Sequence, residues 1–220
     1  MNAPEIIDLL KQKSNPAYHK GMARFGIDSS KALGVKVPEL RLLAKTIKKD
    51  QQLSLDLWDT GIHECRLLAS MIGDAKQVKP EQMDKWTREF YSWDICDQAC
   101  GNLFDRTPFA VEKALEYAAS EKEFVKRAGF VLMAEFAVHD KKADDIVFLQ
   151  FFPIIEREAW DDRNFVKKAI NWALRQIGKR NKNLNQIAID TAKRISKQDN
   201  KSAKWIAADA LRDIKDRFSK

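Results

Sequence analysis

The segment Tyr91-Ser92-Trp93-Asp94-Ile95-Cys96-Asp97 holds the residues best suited to chemistry. In a helix, Trp93 and Asp97 stand four apart and share a face. An aromatic plane beside a carboxylate suits a flat cationic ligand. The ring quadrupole attracts a cation by about 0.5–2 kcal/mol. The carboxylate adds a Coulombic attraction that grows as water is excluded. The alternative use of the same residues is a core Trp with a capping Asp. Trp172 opens a second candidate, Trp172-Ala173-Leu174-Arg175, one turn after Lys167 and Lys168. An indole there could lean on a sugar or base. Trp58, Trp86, Trp160 and Trp205 have no such company and read as packing residues.

Other chemistries have weaker support. Cys96 and Cys100 share the i, i+4 spacing, but no His joins them and structural zinc normally needs four ligands, so buried thiols are expected. His63-Glu64-Cys65-Arg66-Leu67 begins like H-E-x-x-H and lacks the second His. Three isolated His support no Ser/His/Asp trio. The two commonest nucleotide cradles, G-x-G-x-x-G and G-x-x-x-x-G-K-[ST], are missing from the sequence. Neither a metal nor an organic cofactor is expected.

The charge is uneven. Of 39 Lys+Arg and 32 Asp+Glu in 220 residues, residues 161–220 hold 16 and 7, a net of +9, while residues 1–160 carry a net of −2. A basic region of this size attracts polyanions. The same composition also fits a Lys-rich helical surface in water. No apolar run approaches a transmembrane span, and the acidic start MNAPEIIDLLKQK does not read as a secretory signal. Three Cys without such a signal suggest a reducing, cytoplasmic setting.

The elements that must position these residues read as helices throughout. Gly and Pro are few, and apolar residues recur at three and four, as in Phe130, Met133, Ala134 and Ala137. Breaks fall at Asn15-Pro16, Lys79-Pro80, Thr107-Pro108 and Asp161-Asp162, with Thr107 expected to cap a helix. Phe124-Val125-Lys126-Arg127-Ala128 returns 41 residues later as Phe165-Val166-Lys167-Lys168-Ala169. Looser copies begin at Ser202 and Glu64. A period near 40 suits HEAT-like repeats: an all-α superhelix, one domain over 1–220, with equivalent helices lining a concave basic face. Lys126, Arg127, Lys167, Lys168 and Lys204 would form a row on that face, in first helical turns. The helix dipole opposes cations there by about 0.3–1 kcal/mol each, a conflict that a bound phosphate removes. Side chains snorkelling into water are the plainer reading.

The segments MARF with LGV-x-VPE-x-R (22–41), LWD with E-x-R (57–66), SWDICD (92–97), VKRAGFVL (125–132) and FVKKAINWALR (165–175) resemble the AlkD-type DNA alkylation-repair glycosylases. The resemblance runs in order over most of the chain. It implies a HEAT-like DNA-binding fold that excises cationic N7- and N3-alkylated purines, such as 7-methylguanine and 3-methyladenine, from duplex DNA. The family's W-x-x-x-D motif falls on Trp93 and Asp97, and its catalytic-face Arg on Arg127. Its second DNA-facing Trp falls on Trp172, followed by Arg175, and a DNA contact in the L-G-x-x-x-P turn falls on Lys36. Lys126, Lys167, Lys168 and Lys204 would add backbone contacts. Phe25 departs from a Tyr found in other members and loses that hydroxyl. The resemblance is compatible with chemistry on a stacked lesion, without base flipping. A monofunctional, monomeric enzyme is expected, since no lysine is convincingly placed for a Schiff base and no heptad seam appears. A silent binder of damaged or branched DNA and a protein-binding scaffold remain as alternatives; the scaffold would need an apolar concave face.

Overall fold

A computed structural model describes residues 1–218, and among them there is no β-strand. The chain forms two compact units, Met1–Thr107 and Pro108–Lys220. The first contains α1 (Ala3–Gln12), α2 (Pro16–Met22), α3 (Val37–Ile47), α4 (Gln51–Asp59), α5 (His63–Ile72), α6 (Pro80–Arg88) and α7 (Trp93–Asn102). Short 3₁₀ turns follow α2 at Ala23–Phe25 and α7 at Phe104–Arg106. The second contains α8 (Ala110–Ala118), α9 (Glu123–His139), α10 (Asp145–Leu149), α11 (Phe151–Glu158), α12 (Asn164–Gly178), α13 (Lys182–Ser196) and α14 (Lys201–Ile214).

Local chemistry sets several of the starts. Asn2, Asn15, Asp50, Asn181 and Asn200 each accept a backbone N–H three residues on, which satisfies one orphan donor of the first turn. Pro16 and Pro80 sit in first turns, where the missing N–H costs nothing. Thr107 does not cap α8. Its hydroxyl donates to the Phe104 carbonyl at 2.8 Å, closing the 3₁₀ turn, and α8 starts at Ala110.

Each unit has two helical layers. In the first, α5 packs between α3 and α7, with α4 behind it. Trp58 of α4 stacks on Trp86 of α6 with ring centres 3.9 Å apart, and both indoles are buried. In the second, α12 packs between α9 and α14, backed by α11 and α13. The expected period is corrected in detail: the inner helices begin at 63, 93, 123, 164 and 201, so spacings near 30 precede spacings near 40. The extra residues of the later repeats include α10 and the longer helices α12 and α13.

Gly129 shows how closely α8 and α9 approach. A Cβ there would lie 2.3 Å from the Ala118 nitrogen and 2.8 Å from the Ala114 carbonyl oxygen. Backbone atoms cannot swing aside as a side-chain tip can. Gly129→Ala should therefore destabilise the fold by at least about 2 kcal/mol, read as a lower urea midpoint at unchanged slope.

Candidate active site

The start of α7 is built from buried polar groups. Ser92 is buried, and its hydroxyl donates to Asp94 Oδ1, which also accepts from the Ile95 N–H at 3.0 Å. Asp94 Oδ2 lies 2.8 Å from His63 Nε2, and His63 Nδ1 lies 3.2 Å from the Tyr91 hydroxyl. Burial alone would raise the Asp94 pKa, but the His63, Ser92 and Ile95 hydrogen bonds outweigh it and hold the carboxyl below the ordinary carboxylate value. Burial pushes the Tyr91 phenol well above its ordinary value. The trio Ser92–Asp94–His63 was invisible in the sequence because His63 starts α5 while Ser92 and Asp94 stand at the cap and first turn of α7, about thirty residues on. It is not a nucleophile with its base: the Ser92 hydroxyl bonds Asp94 rather than His63, and His63 is buried.

This cluster fixes where α7 begins. Trp93 and Asp97 then occupy its first and fifth positions, on one face, and both are half-buried. Ile95, Cys96, Ala99 and Cys100 are buried. The Trp93 indole N–H donates to the Phe25 carbonyl at 2.9 Å. That bond orients the ring from the 3₁₀ turn at Ala23–Phe25, using the backbone of the residue whose side chain lacks a hydroxyl. Trp93 is thus neither a core residue nor free to rotate. Lys36, exposed, stands just before α3.

In the second unit the repeated cations behave differently from expectation. Lys126 is buried; its ammonium lies 2.6 Å from Glu158 and 3.2 Å from Asp161, 5.1 Å from the centre of the Trp160 ring. The conflict with the helix dipole is thus relieved by two carboxylates, and Lys126 is corrected from a DNA contact to a link between repeats. Arg66, also the fourth residue of its helix, does the same in the first unit: it bonds the Glu89 carboxylate and the Glu89 carbonyl, each at 3.0 Å. Arg127 is buried and donates to the Phe165 carbonyl at 2.5 Å. Lys167 is half-buried, 5.5 Å from the Trp205 ring centre, while Lys168 is exposed. Trp172 is half-buried on α12. Arg175 lies 3.4 Å from Asp213 and 3.6 Å from Asp209, so α14 already neutralises it. Lys204, exposed, pairs with Asp199 at 3.1 Å. Trp58 and Trp86 are packing residues as expected, but Trp160 and Trp205 are exposed. The close aromatic contact of Phe124 with Phe165, 5.7 Å between centres, joins the two copies of the repeated motif directly.

The family model described as DNA alkylation repair enzyme matches residues 6–214. Comparison with curated proteins gives no match. A solved structure from a family related to the HEAT-like repeat DNA glycosylases, with affinity for branched DNA structures, superposes with a TM-score of 0.80 at 19% identity. The match covers 97% of this chain and 96% of that one, and it gives the fold: all-α and HEAT-like.

Two measurements check the polar framework. Lys126→Met would leave Glu158 and Asp161 with only the more exposed Arg157 and Arg163 as partners and should cost about 1–3 kcal/mol in urea unfolding. The depressed Asp94 value contributes stability above the unfolded carboxyl pKa near about 4, and that contribution is lost as pH falls through the lower folded value. Asp94→Asn should flatten the loss of stability below about pH 4 relative to wild type.

Proposed function

We propose that this chain, which belongs to the DNA alkylation repair enzyme family, is a DNA glycosylase acting on cationic N7- and N3-alkylated purines in duplex DNA. The observation that carries the reading is the pair on α7: a half-buried carboxylate, Asp97, one turn from an indole, Trp93, whose orientation is fixed by Phe25. Alkylation makes the purine a good leaving group, since the base departs neutral and needs no general acid. Positive charge then develops on the deoxyribose. Asp97 stabilises that charge and orients the water, while the Trp93 face contacts the cationic nucleotide. Water oxygen bonds to C1′, the C1′–N bond breaks with its electron pair going to the purine, and the water's proton passes to Asp97 or solvent. The products are an abasic site and a free alkylated base.

Arg127, Trp172, Lys167 and Lys168 belong to the second unit, where they serve backbone and sugar contacts in this reading. Arg127 is buried and already donates to the Phe165 carbonyl, so in this reading it would meet a phosphate only through its remaining N–H groups and not as an open fork. Lys36 and Lys204 are peripheral contacts on the same logic. No step calls for a metal or an organic cofactor.

A second reading has its own support. The solved structure at TM-score 0.80 comes from a family with affinity for branched DNA. A silent DNA binder would keep the cations and need no Asp97.

Incubation with methylated duplex separates the two. Wild type should release 7-methylguanine and 3-methyladenine, and Asp97→Asn should slow release by at least about 100-fold with DNA affinity retained. Release that survives unchanged in Asp97→Asn overturns the carboxylate's role. Tight binding of a four-way junction with no base release supports the silent binder.

A further inference from the structure

The first unit carries a pocket of about 390 Å³ lined by five cations, Arg41, Lys45, Lys48, Lys49 and Arg106, and by the amide of Asn102. No carboxylate lines it, and among the described residues none of the five forms an ion pair. This contrasts with Arg66, Lys126, Arg163, Arg175 and Lys179, each within ion-pair distance of an acid. Like charges crowded without a counter-charge repel one another, and the cost grows where water is partly excluded.

Part of the cluster has a local reason. Lys49 donates to the carbonyls of Gly73 and Met71 at 2.7 and 3.1 Å, and Arg106 to that of Asn102 at 3.1 Å, so both answer helix C-termini. Burial and the nearby Arg106 charge hold the Lys49 pKa below its ordinary value, against a smaller pull from Asp74. Asp74 itself is engaged by the Lys76 N–H and the Gln77 amide. Lys45 in the last turn of α3 and Lys48 at its C-cap also lie where the helix dipole favours cations, but among the described residues neither ammonium has a carbonyl or carboxylate partner, and Arg41 reaches only a neutral amide, that of Gln98. Lys48 also sits at φ 68°, ψ −155°, a backbone region that favours glycine. A lysine kept there at the cost of strain, beside four further cations, suggests a role for its charge.

The pocket is wired to α7. The Gln98 side-chain oxygen accepts from Arg41 at 3.2 Å and from Asn102 at 3.0 Å, and Asn102 also donates to Ser70 Oγ at 3.1 Å. Asn102 stands five residues beyond Asp97 on the same helix, about 7.5 Å along the axis. The axial part of that separation corresponds to roughly two nucleotides of a DNA strand at about 3.4 Å each, while α7 turns through about 140° between the two residues, so the strand must also pass round the helix.

We propose that this pocket is a phosphate-binding site that takes a phosphodiester of the DNA backbone a few nucleotides from the position read by Trp93 and Asp97. The assignment rests on the reading of the chain as a DNA-binding protein. It gives the nearly neutral N-terminal unit a share of DNA affinity that net charge alone does not reveal.

The test is the salt dependence of duplex affinity, measured by fluorescence anisotropy, for wild type and Lys45→Gln/Lys48→Gly. Loss of that one phosphate contact should lower the slope of log K against log salt by about 0.9. Lys48→Gly relieves the positive-φ strain, so the variant should melt no lower than wild type, which separates lost contacts from lost folding. Lys11→Gln/Lys20→Gln removes the same charge elsewhere in the unit and should leave the slope nearer wild type. An unchanged slope in the pocket variant, with wild type binding DNA, overturns the site alone. A wild type that fails to bind DNA overturns the proposed function, and the site with it. Pyrophosphate that raises the melting temperature of wild type and not of the variant, with the DNA slope unchanged, assigns the pocket to free phosphates and also overturns the proposal.

Discussion

Much of this structure depends on how charges buried between successive helices are neutralised. A helical pair can bury its apolar face against its neighbours, but a cation in the first turn of an inner helix meets both burial and an opposing dipole. Lys126 resolves the conflict by reaching Glu158 and Asp161 near the end of α11 and beyond it. Asp161 then does more than neutralise: its carboxylate also accepts from Arg163, and its backbone carbonyl accepts from Ser202 of α14 at 2.6 Å. One acid therefore joins α9, the start of α12 and the start of α14. In the first unit Arg66 and Glu89 make the corresponding bond. Such contacts specify which turn of one repeat meets which turn of the next, something apolar packing alone defines loosely.

The same rule divides the cations by use. Many belonging to the basic C-terminal quarter are occupied: Arg175 and Lys179 face Asp209 and Asp213, Arg194 meets Glu156, and Arg180 donates to the carbonyls of Ala137, Asp140 and Ala143. The concentrated, unneutralised charge lies instead around Arg41 and Lys45, in the part of the chain whose net charge is slightly negative. Net charge counts residues, whereas a phosphate responds to the local field, which neighbouring carboxylates cancel within a few ångströms.

The α7 site follows a similar economy. His63, Asp94, Ser92 and Tyr91 could be mistaken for catalytic equipment, yet they hold the first turn in place, with the carboxylate serving as the hub. What they position is a simpler pair, an indole and an acid one helical turn apart. In the proposed reading, that simplicity suits a leaving group already activated by its own positive charge, where electrostatic stabilisation supplies most of what is needed.

The sequence by itself determined the helices, the repetition, and the shared face of Trp93 and Asp97. Each depends on contacts within a few residues: 3.6-residue periodicity, Asn caps, Pro in first turns, and i, i+4 geometry. The motif match also carried the family. Only the tertiary structure decided what each repeated cation does. Lys126 and Lys168 occupy neighbouring positions in matching motifs, yet one is buried between carboxylates and the other lies in solvent. The exposed Trp160 and Trp205, the buried His63–Asp94 link and the basic pocket were illegible for the same reason. Their partners stand tens of residues away, and burial and pairing are properties of the packed chain rather than of any short segment.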